Sequence, residues 1–424
     1  MVTPYLTLWE AAMADVLADA VTGLSAARPA LIRAINEQLL LEHIRFSGPC
    51  SRADLARVSG LSKPTVSLAL ANLERAGLVR LAGQRTGVPG RSALLYEVRP
   101  EAGFVLALDI GMRYLRGAVA DLAGVVRASG SRAVTAPGTG DGTAGPKEAA
   151  GPRERVAELE RLADDLCARA GIPRSAVTQT VAGSPGIYDR GRDIIALTGG
   201  LPGWGQPEAL VELRAAFGPA LTIENDVDAA ALAERAQGHG RDVDDFAFVH
   251  VGTGIGMGLV LGGRLYRGRH GAAGEIAFMP FGAGGEANAE EKRRRGTLES
   301  AAAADGIVRA ARREGMKDVA SPQDVFAAAE DGDERAAAVL AAEARLVANA
   351  ICCVITVVDP SLVILGGGIG QAPGFADAIT AELAAIAPIM PEVRVSALGT
   401  EAVVDGCLAE GTSLAWTDLV AALP

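Results

Sequence analysis

The pattern of apolar residues between positions 29 and 76 predicts three consecutive helices. In the first, residues 29–46, apolar side chains recur at spacings of three and four and so share one face: Leu31, Ile35, Leu39 and Ile44. Ser51 and Ser62 stand where N-caps belong, so we expect helices at 52–58 and 63–76. Gly60 supplies a tight turn between these two helices, and Gly77 ends the third.

Two short runs that are typical of strands follow the third helix. Residues 78–81 and 93–98 are mostly Leu, Val and Tyr, and a Gly-rich basic segment, residues 83–91, separates them. Three helices followed by such a hairpin predict a winged helix-turn-helix. In that fold the helix after the turn enters the major groove of DNA.

The charge distribution favours DNA binding over the alternative that this segment is a helical adaptor between proteins. Residues 28–99 contain eleven Lys and Arg against five Asp and Glu, a net charge of +6, whereas the whole chain carries −11 and the remainder therefore −17. A basic module on an acidic body concentrates positive potential where phosphates must lie. We therefore expect double-stranded DNA as the partner, read as an inverted repeat by a homodimer or tetramer.

The start of the third helix and the hairpin hold the candidate DNA contacts. Pro64 occupies an early helical position, where no backbone N–H is needed, and the first turn of this helix is expected to meet base edges. The candidate DNA-binding residues are Ser62, Lys63, Pro64, Thr65, Ser67, Arg80, Arg85 and Arg91, and Leu68 and Asn72 are also expected to face outward.

From residue 104 onward, short apolar runs alternate with helical segments, which predicts an α/β body. Residues 104–111, 115–121, 177–183, 221–224 and 246–251 have the composition of buried strands. Gly- or Asp-rich loops follow several of them, and in open α/β sheets such loops bind ligands. The pattern divides the 424 residues into an N-terminal extension of unassigned role (1–27), a DNA-binding domain (28–100) and a ligand-binding and dimerisation body (101–424).

Composition disfavours several classes of protein. No apolar run is both long and uncharged enough to span a bilayer, and residues 5–24 contain three acidic side chains, so we expect a cytoplasmic protein without a membrane partner. The five cysteines have no metal-type spacing, which is typical of reduced thiols. Residues 137–153, rich in Gly, Pro, Thr and Ala, predict a surface loop.

The order of motifs in the body resembles the ROK family, which contains bacterial sugar-responsive repressors and sugar kinases. The motifs are AGSPGI at 182–187, LPGW at 201–204, ENDVD at 224–228, GTGIGMG at 252–258, RGRHGAAGEI at 267–276 and LGGGIG at 365–370. The resemblance covers nearly all of residues 28–423 and implies an α/β architecture. A winged helix-turn-helix would precede a two-lobed body of the actin-like ATPase, or ribonuclease-H-like, fold, as in the repressor branch.

The resemblance also implies a sugar site. The implied effector-binding residues are Gly183, Gly186, Asn225, Asp226, Glu275 and Glu299. Carboxylates and amides suit this role because they offer paired acceptors, or a donor and an acceptor, to adjacent hydroxyls. For Asn225 the competing role is to cap the helix that follows it.

Two departures from the family pattern change what is expected. In the kinases an Asp-Xaa-Gly-Gly-Thr loop holds the ATP phosphates, and here Met112 and Arg113 replace the Gly-Thr pair, so we expect no catalytic residues and no enzyme activity. The family's zinc site uses a histidine and a cysteine cluster. Here Phe278 takes the histidine position and residues 281–296 contain no cysteine, so we expect no metal and no cofactor.

The sequence therefore predicts a transcriptional regulator of carbohydrate metabolism, a repressor, controlled by a sugar or sugar-derived effector in a catalytically inactive kinase-like domain. Two alternatives stay open. One is a ligand-independent DNA-binding protein whose body serves for dimerisation, and the other is an active sugar kinase with a DNA-binding head.

Overall fold

The structure of the chain, a computed structural model, describes residues 29–85, 93–134, 151–198, 201–281 and 289–422. Three features of the sequence-based prediction lie outside these residues: the extension at 1–27, most of the loop predicted at 137–153, and Arg91.

The N-terminal domain is a winged helix-turn-helix, as predicted. Its elements are α1 (Pro29–Ser47), β1 (Cys50–Ser51), α2 (Arg52–Ser59), α3 (Lys63–Arg75), β2 (Val79–Arg85) and β3 (Ala93–Val98). Ser51 forms a capping box with Asp54, whose backbone N–H donates to Ser51 Oγ at 3.2 Å. The three strands form a sheet in the order β1-β3-β2. The sequence did not predict β1, and β2 reaches four residues further than expected, to Arg85.

The buried face of α1 differs from the prediction. Glu37, Leu40, Leu41 and Ile44 are almost fully buried, whereas the predicted Ile35 and Leu39 are only half-buried. The reason is that α1 packs on two sides, against α3 within the domain and against the last helix of the chain. The face of α1 that both contacts bury is therefore rotated about the helix axis from the face that the spacing of apolar residues predicts.

The first lobe of the body is a five-stranded mixed sheet covered by helices. It consists of β4 (Phe104–Ile110), β5 (Tyr114–Asp121), β6 (Val126–Ala133), α4 (Pro152–Ala170), β7 (Val177–Ser184), β8 (Ile187–Asp189), β9 (Ile194–Ala196), α5 (Pro207–Phe217), β10 (Leu221–Asn225) and α6 (Asp226–Gln237). The strand order is β10-β7-β4-β5-β6, with β4, β5 and β6 antiparallel and β7 and β10 parallel to β4.

The second lobe repeats this plan. It consists of β11 (Phe246–Val251), β12 (Ile255–Leu261), β13 (Arg264–Leu265), α7 (Ala289–Arg295), α8 (Thr297–Ala302), α9 (Ala304–Arg313), α10 (Pro322–Glu330), α11 (Glu334–Val358), β14 (Leu362–Gly366), α12 (Gly367–Gly370), α13 (Phe375–Ile386) and β15 (Glu392–Val395), and the chain then returns to the first lobe as α14 (Ala402–Ala421). Its sheet order is β13-β12-β11-β14-β15, again an antiparallel group continued by parallel strands. The predicted two-lobed fold is confirmed.

The long helix α11 forms the centre of the second lobe. Its 25 residues are apolar enough to cross a membrane by length and composition, but half of its most apolar stretch is buried inside the protein. It packs against α13 and α10, which identifies it as a core helix. Glu343 lies on its buried side with 3% of its surface exposed, and its Oε1 atom has no hydrogen-bond partner among the described residues.

The last helix, α14, joins the two domains. It packs on α6 and on β4 and β7 of the first lobe, so closely that a Cβ atom on Gly406 would lie 1.7 Å from the Ala229 carbonyl oxygen. At its far end Trp416 donates from Nε1 to the Leu122 carbonyl oxygen at 2.9 Å. Trp416 and Val420 belong to the same apolar core as the buried face of α1. The N-terminal domain and the body therefore share a core.

Candidate functional site

The N-terminus of α3 presents an exposed polar surface. Ser62 caps this helix, with its Oγ accepting from Thr65 N at 3.3 Å and lying 2.8 Å from Thr65 Oγ. Ser62, Lys63 and Pro64 are exposed, and Thr65 and Ser67 are half-buried. The first turn of α3 is thus open to solvent, and its contact with DNA stays a prediction.

The two residues further along α3 that were expected to face outward differ in the structure. Leu68 is 60% exposed, as predicted. Asn72 instead turns toward α1, where its Nδ2 donates to Glu37 Oε1 at 2.6 Å. The expectation for Asn72 was therefore wrong, because a buried carboxylate on α1 needs a donor.

The candidate phosphate contacts of the wing are already paired with carboxylates. Arg80 donates to Glu97 at 2.8 Å and to Glu101 at 3.3 Å, and Arg85 donates to Asp54 at 3.0 Å. Both guanidinium groups remain about half exposed, and such surface pairs are weak because solvent and salt screen them. An approaching phosphate would therefore compete with weakly held partners.

Four carboxyl groups of the body lie close enough to influence one another. Asp109 ends β4, Asp226 begins α6, Glu275 precedes a short 3₁₀ turn, and Glu299 lies in α8. Burial, then the charges of Asp109 and Glu275, raise the pKa of Asp226 to about 7. Burial, then the charge of Glu299, raises the pKa of Glu275 to about 7 as well. We call these four residues the carboxylate cleft.

Asp109 and Glu299 are tied to neighbouring basic groups. Burial raises the pKa of Asp109 to about 6, although Arg116, which donates to it at 3.1 Å, opposes the rise. Glu299 accepts from Arg295 Nε at 2.8 Å and from the Ile255 backbone N–H at 3.0 Å. Each carboxylate has about four lone-pair sites, so Glu299 retains acceptor capacity.

The other predicted effector residues have clear structural roles. Asn225 is the N-cap of α6, with its Oδ1 accepting from Val227 N at 2.9 Å and Asp228 N at 3.0 Å. Its Nδ2 donates to the Gly186 carbonyl oxygen at 2.9 Å. A Cβ atom on Gly183 would lie 2.4 Å from Val403 Cγ1, so that side of the glycine faces α14. Asn225 thus caps α6, and its hydrogen bond to Gly186 links two of the motifs quoted above.

A partly buried ionic chain next to the cleft was missed by the sequence reasoning. Arg267 donates from Nε to Glu224 Oε2 at 2.8 Å and from Nη2 to Glu410 Oε1 at 2.9 Å. Glu224 directly precedes Asn225, and Arg267 opens the RGRHGAAGEI motif, so both stood in quoted motifs without an assigned role. Glu410 lies on α14, 143 residues from Arg267, and no local signal links the two.

Asp228 lies between this chain and the cleft. It is 3% exposed, and its Oδ1 has no hydrogen-bond partner among the described residues. Burial, then the charge of Glu224, holds its pKa well above the ordinary range, while Arg267 opposes this and Glu275 and Asp226 add to it. The carboxyl of Asp228 therefore connects the two groups electrostatically.

The loop after β4 is held by a buried cation. Arg155 is 2% exposed and donates from Nη1 to the Gly111 carbonyl oxygen at 2.7 Å, while Met112 is 56% exposed. This loop carries the Met-Arg pair that replaces the kinase Gly-Thr pair. Phe278, in the 3₁₀ turn after Glu275, is 37% exposed.

Two family models match the chain. The model described as ROK family matches residues 105–408, and the one described as MarR family matches residues 36–92. The xylose repressor of Bacillus subtilis (strain 168) is 24% identical over 248 residues, which are 58% of this chain and 61% of that protein. The glucokinase of Thermotoga maritima is 33% identical over 205 residues, 45% of this chain and 63% of that protein. The chain thus spans less than two thirds of the length of these curated relatives.

Solved structures share the fold over more of the chain. The crystal structure of a ROK family transcriptional regulator, a homologue of the E. coli Mlc protein, has a TM-score of 0.73 at 24% identity and covers 92% of this chain and 98% of its own. The ROK hexokinase of Thermus thermophilus has a TM-score of 0.60 at 27% identity and covers 74% of this chain and 99% of its own. At 92% coverage the first match must include most of the N-terminal domain, whereas the second leaves a larger part of the chain unmatched.

Proposed function

Because the chain belongs to the ROK family and carries a winged helix ahead of the ROK body, we propose that it is a DNA-binding transcriptional repressor controlled by a sugar or sugar-derived effector. The observation that carries this proposal is the shared core of the two domains. Helix α3 and the carboxylate cleft belong to two domains that share one core, so ligand binding in the cleft can change how α3 binds DNA.

The DNA-binding part of the proposal rests on the first turn of α3. Lys63 is exposed there and has no acidic partner among the described residues, which leaves its ammonium group available for a phosphate. Ser62, Pro64, Thr65 and Ser67 would lie along the base edges, and Arg80, Arg85 and Arg91 would contact the backbone. A homodimer or tetramer reading an inverted repeat in the cytoplasm, with no membrane partner, is the matching assembly.

The sugar-binding part rests on the carboxylate cleft. With pKa values near 7, Asp226 and Glu275 exist in both protonation states at neutral pH. A protonated carboxyl donates a hydrogen bond and an ionised one accepts, so the pair offers both to the hydroxyls of a sugar. We assign ligand contacts to Asp226, Glu275 and Glu299, and a positioning role to Asn225, Gly183 and Gly186.

We favour binding over catalysis. Phosphoryl transfer needs a pocket that positions the phosphates, and the loop after β4 has Met112 and Arg113 in place of the glycine and the hydroxyl. Asp109, at the end of the same strand, is paired with Arg116. Metal and cofactor are not needed for such a role.

A sugar kinase with a DNA-binding head is the second candidate, and one observation favours it. A carboxylate with a pKa near 7, such as Asp226, is suited to take a proton from a sugar hydroxyl at neutral pH. Relatives that are named glucokinase give this candidate a further reason to be tested.

The test begins with selecting duplexes that the full-length protein binds from a random pool. Lys63→Ala should weaken binding and lower the slope of log affinity against log salt by about 1, while Lys317→Ala, an exposed lysine on the body, should change neither. Undiminished binding by Lys63→Ala together with a salt-independent affinity would contradict the DNA assignment.

The sugar arm uses calorimetry with a monosaccharide panel that begins with D-xylose and D-glucose. Asp226→Ala should weaken binding of the best sugar by about 1–3 kcal/mol and leave DNA affinity without sugar unchanged. ATP consumption with any sugar of the panel, abolished by Asp226→Ala, would establish the kinase instead. If the wild type binds no sugar, the remaining candidate is a DNA-binding protein that acts without a ligand.

A further inference from the structure

Helix α14 contacts both functional regions of the chain. Its N-terminal half lies against the elements that carry the carboxylate cleft, and its C-terminal half lies against α1 of the DNA-binding domain. As a 20-residue helix it is about 30 Å long, which is enough to connect sites at opposite ends of a domain.

The contacts of the first half lead to the cleft. Gly406 touches the backbone of α6, the helix that Asp226 begins, and Cys407 packs at the end of β4, where its Sγ lies 3.9 Å from the Leu108 carbonyl oxygen. Glu410 accepts from Arg267, and Arg267 holds Glu224 beside Asn225. This ion pair is one of several polar links between the N-terminal half of α14 and the region of the cleft; Gln237 also donates to Asp405 at 2.7 Å, and Arg116 lies 3.8 Å from Glu401.

The contacts of the second half of α14 lead to the DNA-binding domain. Trp416 and Val420 enter the core that contains Leu41 and Ile44 of α1. A small cavity of about 40 Å³ lies between the two helices, lined by Gln38, Leu41, Glu42 and Arg45 of α1 and by Ser413, Trp416, Thr417 and Val420 of α14. Trp416 and Val420 are almost fully buried, so the two helices are in contact, and the cavity leaves room for small sliding movements between them.

The close glycine contact makes α14 move as a unit. Because Gly406 leaves no space between α14 and α6, a displacement of α6 must displace α14 with it. From Glu410 to Val420 the helix rises about 15 Å, so a tilt at Glu410 becomes a translation at α1. Two packed ends joined by one rigid helix are the physical requirement for coupling between sites.

We propose that the Arg267–Glu410 ion pair and α14 transmit effector occupancy of the carboxylate cleft to the DNA-binding domain. Arg267 and Glu410 are positioning residues in this mechanism and touch neither sugar nor DNA. The proposal rests on the proposed function, since it describes how the two binding events communicate.

The experiment measures coupling directly with full-length protein. Sugar affinity is determined by calorimetry with and without the selected DNA duplex, and the ratio of the two values is the coupling. Reciprocity requires DNA affinity with and without sugar to give the same ratio. Wild type should give a ratio of about 5–150. Glu410→Gln removes the charge of the ion pair while keeping the shape of the side chain, and Glu410→Asp retains the charge.

Glu410→Gln should reduce the ratio to near 1, with sugar affinity in the absence of DNA and DNA affinity in the absence of sugar both within about twofold of wild type. Glu410→Asp should restore part of the coupling. Trp416→Phe keeps the apolar contact and loses the hydrogen bond to Leu122. It interrupts the proposed coupling near the other end of α14 and should also lower the ratio. Thermal unfolding identifies any variant that fails to fold.

The outcomes separate the two proposals. A wild type with no coupling between sugar and DNA overturns the proposed function and the coupling with it. Normal wild-type coupling that persists in folded Glu410→Gln and Trp416→Phe overturns the role of α14 and leaves the proposed function intact. Equal loss of coupling in Glu410→Gln and Glu410→Asp overturns the role of the charge.

Discussion

Replacing Glu343 with methionine should stabilise the protein at neutral pH. The side chain is 3% exposed on the core side of α11, and its Oε1 finds no hydrogen-bond donor among the described residues. Burial holds its pKa well above the ordinary value of 4.5. The folded chain therefore holds a proton on this carboxyl at pH values where the unfolded chain has released it.

The sign and size of the effect follow from this difference. A carboxyl with a raised pKa in the folded state contributes its full stability below about pH 4.5 and loses it as the pH rises through the folded-state pKa. Within that window each pH unit lowers the free energy of unfolding by about 1.4 kcal/mol. Methionine has a similar volume and no proton to lose, so at pH 7.5 the variant should be more stable than wild type by about 1–3 kcal/mol, the usual cost of burying a polar group without a hydrogen bond.

The assay is urea denaturation followed by circular dichroism at several pH values between 5 and 8. Asp226, Glu275 and Asp109 also have raised pKa values, so the informative quantity is the difference between variant and wild type at each pH. Glu330→Met, at an exposed position at the end of α10, is the matched control and should leave the pH dependence unchanged. A constant difference between Glu343→Met and wild type across the range would refute the reasoning.

Three further changes test other parts of the structure. Gly406→Ala should lower stability by about 1–3 kcal/mol in thermal unfolding, because the new Cβ would lie 1.7 Å from a carbonyl oxygen of α6, whereas Gly399→Ala, with no atom within 4 Å, should have little effect. Ser51→Ala removes the acceptor for Asp54 N and should cost about 1 kcal/mol in urea denaturation; no change would mean that the cap is redundant. Sugar affinity of wild type should be highest near pH 7, where one of Asp226 and Glu275 is protonated and the other ionised, and calorimetry should find a smaller pH dependence in Asp226→Asn.

The elements that were predicted correctly are those with local signals. The caps at Ser51 and Ser62 and the left-handed glycine at Gly60 define α2 and α3 of the N-terminal domain within a few neighbouring residues. Strands such as β4 and β11 are continuous apolar runs, because both of their faces are covered. In each case the information needed lies within the element itself.

The features that were missed depend on tertiary contacts. Strand β6 is an edge strand rich in Ser, Gly and Arg, and its partner β5 supplies the pairing that its composition does not indicate. The rotated face of α1 depends on α14, more than 350 residues later in the chain. Three members of the carboxylate cleft, Asp226, Glu275 and Glu299, were predicted from the family resemblance. Its fourth member, Asp109, and the neighbouring Asp228 and Arg267 were identified only from the fold, which brings distant segments together.

The position of Trp416 gives the protein an internal optical reporter. The chain has three tryptophans, of which Trp204 is fully buried in the first lobe and Trp416 is 4% exposed at the contact between α14 and α1. An indole in such an apolar site emits at shorter wavelength than one in water, and its emission responds when water gains access. Movement of the N-terminal domain relative to the body would therefore change the intrinsic fluorescence of the protein. The relative position of the two domains can then be followed in solution without any attached label.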